Sequence, residues 1–203
     1  MPRSDHEPSA ESGPGATATD RLAGALAPLL EVVASLERFY GPLPAPPDDP
    51  FRCYVWEALS TQTTAGRRDA AYAALHRIPA LTPDAMFRAP RVKLARAVAL
   101  AGPYQEQRLQ ALLEGVERFR RQARLAAIVR GPVRAARRAL ATLPRLGNGS
   151  VHRQLLFGGN HCVFPVDREM TRVCTRLGLG GGADGRPGSG RRLRHVVEGL
   201  LPR

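Results

Sequence analysis

The sequence predicts an all-α protein. Apolar residues recur at helical spacing in segment after segment, and proline and glycine break the chain at short intervals. No stretch shows the strict alternation of a half-buried strand. The spacing of the breaks predicts about eight short helices, more than a simple four-helix bundle needs.

Each element follows from local signals. Residues 1–20, MPRSDHEPSAESGPGATATD, are rich in Pro, Ser, Gly and acids and predict a disordered tail. A helix comes next, with Asp20 as N-cap and Leu22, Leu26, Leu29, Leu30, Val33 and Leu36 on one stripe. GPLPAPPDDP breaks the chain, so residues 21–49 are a helix plus a proline-rich linker. FRCYVWEALS restarts it with Phe51, Val55, Trp56 and Leu59 on a common face. TPDAMFRA is a short helix opened by Thr82, with Pro83 at its first position. RVKLARAVALA stops at Gly102-Pro103. YQEQRLQALLEGVERFRR is amphipathic through Leu109, Leu112, Leu113, Val116 and Phe119. PVRAARRALATL and SVHRQLLFGG flank a glycine loop. DREMTRVCTRLG starts at Asp167, a candidate N-cap, and ends at Gly178 as C-cap. GLGGGADGRPGSG is a flexible linker over 178–190, and RRLRHVVEGLLPR forms a last helix. The chain thus divides into a helical bundle over 50–160 and a C-terminal part over 161–203.

Composition narrows the partners. At 203 residues there is enough chain for one ordinary core or two small lobes. Thirty Lys+Arg against 18 Asp+Glu give a net charge of +12 and a pI near 11.1, which points to a polyanion. Lys93 is the only lysine, a bias that a GC-rich genome also produces. The distribution says more than the total. Residues 118–166 contain no acid but ten arginines: Arg118, Arg120, Arg121, Arg124, Arg130, Arg134, Arg137, Arg138, Arg145 and Arg153. A solvated basic face accounts for such a run, and so does a phosphate-tracking surface. Cys53, Cys162 and Cys174 form no CxxC pair, so neither a disulfide framework nor a zinc site is expected, and a reducing cytoplasm fits. There is no long apolar run for a membrane span and no signal-peptide pattern.

The glycine loop lies in ALATLPRLGNGSVHRQLL, residues 139–156. Pro144 ends one helix, Gly147 and Gly149 permit positive φ, and Ser150 is a good N-cap for the next helix. Backbone N–H groups in such a turn make an anion nest, suited to a DNA phosphate without sequence preference. An ordinary αα-hairpin turn carries the same residue types. Eighteen positions after Gly149 comes Asp167, the first acid since Glu117. It is either a plain helix cap or a carboxylate beside a base-accepting pocket.

These pieces, in this order, resemble the helix-hairpin-helix DNA glycosylase superfamily, in particular its endonuclease III branch. ALATLPRLGNGSVHRQLLFGGNHCVFPVDREMTRVC is similar to that branch's leucine-proline-glycine-x-glycine hairpin (here about 137–156), followed by a helix, an apolar stretch and a valine-aspartate helix start. Upstream, PFRCYVWEALSTQTTA resembles its segment ending in serine-x-glutamine-x-threonine, and ALAGPY its glycine-x-tyrosine. The likeness spans about Pro50 to Leu179. It implies a two-lobed helical fold around a cleft, with double-stranded DNA gripped by the hairpin and a damaged or mismatched base flipped out. Asp167 would stabilise the oxocarbenium-like sugar and orient or deprotonate the nucleophile. Surrounding arginines and the helix N-terminus would keep it ionised. Gln62 stands where the family fills the gap in the duplex, though a plain loop residue would read the same. Arg145, Leu146, Gly147, Gly149, Ser150 and Arg153 are the other expected DNA contacts.

The departures are specific. Bifunctional members carry a lysine after the hairpin whose amine attacks the sugar; this chain has Gly149 there, so lysine-based lyase activity is not expected. Arg145 replaces the hairpin's first glycine, which either adds a phosphate contact or disturbs the turn. The iron–sulfur branch's four closely spaced C-terminal cysteines have no counterpart, so no cluster or other cofactor is expected and the second lobe is shortened. Two readings compete. One is a monofunctional DNA N-glycosylase of the cytoplasm, nucleoid-associated when bound to DNA. The other is a catalytically silent paralogue that binds duplex or damaged DNA through the hairpin and basic face. A helical basic protein for RNA or scaffolding is less well supported, since aromatic stacking residues are only 5%.

Overall fold

The computed structural model of this protein describes residues 18–42, 44–78, 80–176 and 190–200. Among them are eleven α-helices, one π-helical turn and no strand. The class is therefore all-α, with more helices than the expected eight or so. Two of the extra ones had weak signals. α3 (Ala65–Arg77) buries only Ala71 and Leu75, so it shows no apolar stripe, and α7 (Leu125–Arg130) has six residues.

The chain divides into two units, residues 1–42 and 43–203. In the first, α1 (Ala18–Tyr40) already includes Asp20, which therefore lies within the helix and does not cap it. Ala18, a strong helix former, carries the helix back beyond the first apolar residue. The expected tail thus loses residues 18–20 to α1, and residues 1–17 lie outside the described residues.

In the second unit, α2 (Pro50–Leu59) runs through the core. Asp49 caps it, its Oδ1 accepting from the N–H groups of Phe51 at 3.0 Å and Arg52 at 2.9 Å. Phe51, Tyr54, Val55, Ala58 and Leu59 are all buried, so α2 is covered on nearly every side. Trp56, expected on the same face, is half-buried, with the Arg68 guanidinium 3.9 Å over its ring. α2 packs against α3, α7 and α6 (Gln105–Arg121). Gly115 of α6 allows the closest approach: a Cβ there would stand 2.1 Å from the Tyr54 ring, and the Tyr54 hydroxyl donates to the Ala111 carbonyl at 2.6 Å. Leu109, Leu112, Val116 and Phe119 of the expected stripe are buried, and Leu113 is half-buried. α4 (Pro83–Arg88) opens as expected, Thr82 Oγ1 accepting from Ala85 N at 3.2 Å. α5 (Arg91–Ala99) joins α3 and α6.

α8 (Val133–Leu140) packs on α7, and α9 (Asn148–Arg153) continues directly into a π-helical turn, Gln154–Gly158, which meets α2. The wide turn is closed by Gly159 N donating to Gln154 O at 2.9 Å. α10 (Arg168–Arg176) and α11 (Gly190–Leu200) pack on each other. α11 is tied to the segment before α10, where Phe164 N donates to Glu198 Oε1 at 2.9 Å. Gly190, taken as the linker's last residue, is helical, and the expected Gly178 cap and linker positions 178–189 lie outside the described residues.

Candidate functional site

The hairpin is present, but its bend is not where the glycines predict. α8 stops at Leu140, and a run of tight turns reaches Leu143 before Pro144. Gly147 is the N-cap residue of α9, at φ −73° and ψ 171°, an extended conformation open to any residue. Gly149 is the second residue of α9. The left-handed residue is Arg145, at φ 57°. Arginine therefore stands in a conformation that glycine favours, at a cost on the order of 1 kcal/mol. Half-buried Leu146 packs on the core beside it, which pins the loop with its bend two residues before Gly147. Ser150 is not the N-cap; it sits in the first turn of α9, and its Oγ accepts from Arg153 Nη2 at 3.2 Å.

Asp167 starts α10. Its Oδ1 accepts from Met170 N at 2.9 Å and its backbone oxygen from Thr171 N at 3.0 Å, so it does cap the helix. Its other oxygen, Oδ2, faces Arg153 Nη1 at 3.3 Å, and its side chain is half exposed. Gly149 borders this pair: a Cβ on it would stand 3.7 Å from Arg153 Nη1 and 3.8 Å from Asp167 Cβ. The hairpin helix and Asp167 are thus brought into contact, with no side chain between them at position 149.

The structure adds a residue that sequence reasoning missed. Glu57 of α2 has a side chain only 1% exposed, and Arg153 grips it with two hydrogen bonds, Nε to Oε1 at 2.7 Å and Nη2 to Oε2 at 2.9 Å. Arg153, expected as a DNA contact, bridges two carboxylates here. Its guanidinium is held above the ordinary arginine range, chiefly by the hydrogen bonds it donates to Glu57 and against the opposing effect of burial. Cys53, one turn before Glu57, has its thiol pushed up to about 12, first by burial and next by the Glu57 charge. The missed signal was α2 itself: buried residues on nearly every side of it, with Arg52 and Trp56 on the outer side, place an acid at 57 inward.

Gln62 is exposed and lies in the loop after α2, also left-handed, at φ 46°. That loop is fastened from below. Thr63 Oγ1 donates to the Ala101 carbonyl at 2.6 Å. Buried Arg108 donates to the carbonyls of Thr61 and Gln62 on one side and of Gly102 and Pro103 on the other. The second loop ends in Tyr104, exposed and left-handed at φ 68°. Arg108 falls on the buried stripe of α6, four residues before Leu112, so its inward position was readable from helical spacing.

All ten arginines of the acid-free run except Arg153 are exposed. Arg120 pairs with Asp84 at 2.9 Å, Arg121 with Glu117 at 2.6 Å, and Arg130 donates to the Asp48 carbonyl at 3.2 Å. The three cysteines stand apart, Cys53 buried in α2, Cys174 buried in α10 and Cys162 exposed, and they do not fit a cluster held by adjacent thiolates. Among the described residues, no three His, Cys, Asp or Glu are grouped to hold a metal ion, and no helix is long and apolar enough to cross a membrane.

Comparison with known proteins gives the fold. No protein-family model and no curated protein matches the chain. Among solved structures, the chain is similar to a trapped endonuclease III–DNA covalent intermediate, in an estranged-adenine complex. The match has a TM-score of 0.59 at 18% identity and covers 87% of this chain and 78% of that one. The fold is therefore endonuclease III-like, of the helix-hairpin-helix type.

Proposed function

We propose that the chain is a monofunctional DNA repair glycosylase that hydrolyses the N-glycosidic bond of a flipped damaged or mismatched base. The observation that carries this reading is Asp167. Its carboxylate is held at both oxygens, half exposed, against a hairpin helix with glycine at position 149. A fixed carboxylate can stabilise the developing sugar cation and hold the attacking water. In a monofunctional route the base leaves with the glycosidic electron pair, water adds to the sugar carbon, and the strand stays intact. Among the described residues no lysine lies at the hairpin position, which is Gly149, so the family's lysine-based attack on the sugar lacks its nucleophile. The exposed arginines around the hairpin supply phosphate contacts, and Arg145, Gly147 and the loop backbone are the proposed grip. Gln62, exposed on a fastened loop, is the residue proposed to enter the duplex. The endonuclease III–DNA complex of similar fold lends support to a DNA partner. The proposal uses no iron–sulfur cluster.

The test is a panel of duplexes carrying uracil or thymine opposite guanine, oxidised pyrimidines, or adenine opposite oxidised guanine. Strand breaks appearing only after alkali are expected; direct nicking or a borohydride-trapped adduct would contradict the monofunctional reading. Asp167→Asn should lower base release by about 10²–10³-fold. It should leave the melting temperature nearly unchanged, since asparagine also caps helices. Full activity in that variant would end the mechanism. The second reading, a DNA-binding protein without turnover, draws on the Arg153–Asp167 ion pair, which occupies the carboxylate the chemistry needs. It predicts salt-sensitive duplex binding and no product from any member of the panel.

A further inference from the structure

Glu57 and Arg153 are more than the proposed chemistry asks for. A buried ion pair is a poor source of stability, because desolvation offsets the attraction between the charges. This one has a definite geometry. The two-point grip of Glu57 uses Nε and Nη2 of Arg153 and fixes the plane of the guanidinium. The second Nη2 hydrogen goes to Ser150 Oγ at 3.2 Å. Only Nη1 is left, and it faces Asp167 Oδ2 at 3.3 Å. Met170 N holds the other oxygen, Oδ1, at 2.9 Å. Two carboxylates share one guanidinium, so a net negative charge stays in the group, and Asp167 is its exposed member. Gly149 leaves that member uncovered.

We propose that Arg153 is a positioning residue for Asp167, and that Glu57 serves to hold Arg153 in place. The proposal rests on the glycosylase reading and deepens it: the aspartate's angle toward the sugar is set through Arg153 from Glu57 on the buried side of α2, 96 residues before Arg153 in sequence. Arg153 touches neither sugar nor base in this account. It acts through Asp167.

The experiment separates this role from a structural one. Arg153→Met alone leaves Glu57 buried without a counter-charge and should lower the melting temperature sharply. The double variant Glu57→Leu/Arg153→Met replaces the pair by apolar side chains and should recover most of that loss. It should still release base about 10- to 100-fold more slowly in single turnover, with duplex affinity little changed. The probe is whichever duplex of the panel the wild type turns over fastest. In Arg153→Ala, millimolar methylguanidinium should restore part of the rate, which a role in packing alone would not give. A double variant that folds and keeps the wild-type rate overturns the proposal. If the wild type releases no base at all, it is the glycosylase reading that fails, and the positioning claim is read from stability instead. A thermal double-mutant cycle between Arg153→Met and Asp167→Asn, made with Glu57 in place, should show coupling, because the cost of the unpaired Glu57 is common to both Arg153→Met arms and cancels. Zero coupling overturns the claim with or without activity.

Discussion

Arg108 and Arg153 are both cations turned away from solvent, but they answer to different partners. Arg108 is 2% exposed and directs its guanidinium at four backbone carbonyls, those of Thr61, Gln62, Gly102 and Pro103. Arg153 directs its own at two carboxylates. The electrostatics follow. Burial lowers the Arg108 guanidinium from its ordinary range, because dipoles alone do not repay the desolvation, whereas the Glu57 hydrogen bond raises that of Arg153. The same side chain thus does two jobs. At Arg108 it sets the shape of two loops. At Arg153 it sets charge and aims a carboxylate. Damage at the first should therefore appear in backbone order, and damage at the second in chemistry.

The largest effect expected of this contrast is at the loop arginine. Arg108→Met keeps the length and apolar stem but removes every donor. Four carbonyls lose their partner, and Gln62 and Tyr104 are no longer held in left-handed backbone. A loss of about 3 kcal/mol is expected, or a drop in melting temperature of about 6–12 °C. Limited proteolysis should cut first near Gln62 and Pro103, because those loops lose their tether. A variant that melts like wild type would show that Arg108 fills space and does not shape the loops.

The same contrast explains what could be read in advance. Helix starts were legible at Thr82–Pro83 and Asp167, where a cap coincides with a proline or an acid, while the Asp49–Pro50 start of α2 was hidden in a proline-rich break. The place of Asp167 near the hairpin was implied by the resemblance, in which the hairpin leads through a helix and an apolar stretch to a valine-aspartate helix start. α3 was not legible because it buries two residues and presents no stripe. The turn was misplaced because glycine at 147 and 149 signals freedom, but the packing of Leu146 decides where the chain bends. The Glu57–Arg153 pair was missed for a different reason. Its partners lie 96 residues apart, and only the path of the hairpin helix across α2 brings them together. Local rules find caps; they do not find charges that meet through tertiary packing.

Arg145 offers a smaller test, because it is exposed and strained where the other two arginines are enclosed. Arg145→Gly should relieve the left-handed strain, and the greater freedom of glycine in the unfolded chain should offset part of the gain. A net stabilisation of under about 1 kcal/mol is expected in thermal melts. If the side chain also contacts a phosphate, the slope of log affinity against log salt should fall by about 0.9. An unchanged slope would remove Arg145 from the proposed grip while leaving the hairpin backbone in it.

The smallest effect is a labelling difference that reads the two regions separately. Cys53 lies one turn before Glu57, with its thiol pushed up to about 12 by burial first and the Glu57 charge second, offset in part by the Gly158 backbone and by Arg153. At pH 8 it should stay protonated and unreactive while exposed Cys162 is alkylated. The folded thiol lies above its ordinary value of 9.0, so it favours the folded state below that pH, and the contribution is lost as the pH rises from about 9 toward about 12. Arg153→Met should speed labelling of Cys53, because a buried unpaired Glu57 draws water toward α2. Arg108→Met should leave it protected, since the loops it loosens lie beyond the other end of the helix. Mass spectrometry of the two variants under identical alkylation decides it. Equal protection in both, or equal exposure, would mean that the two arginines do not govern separate regions.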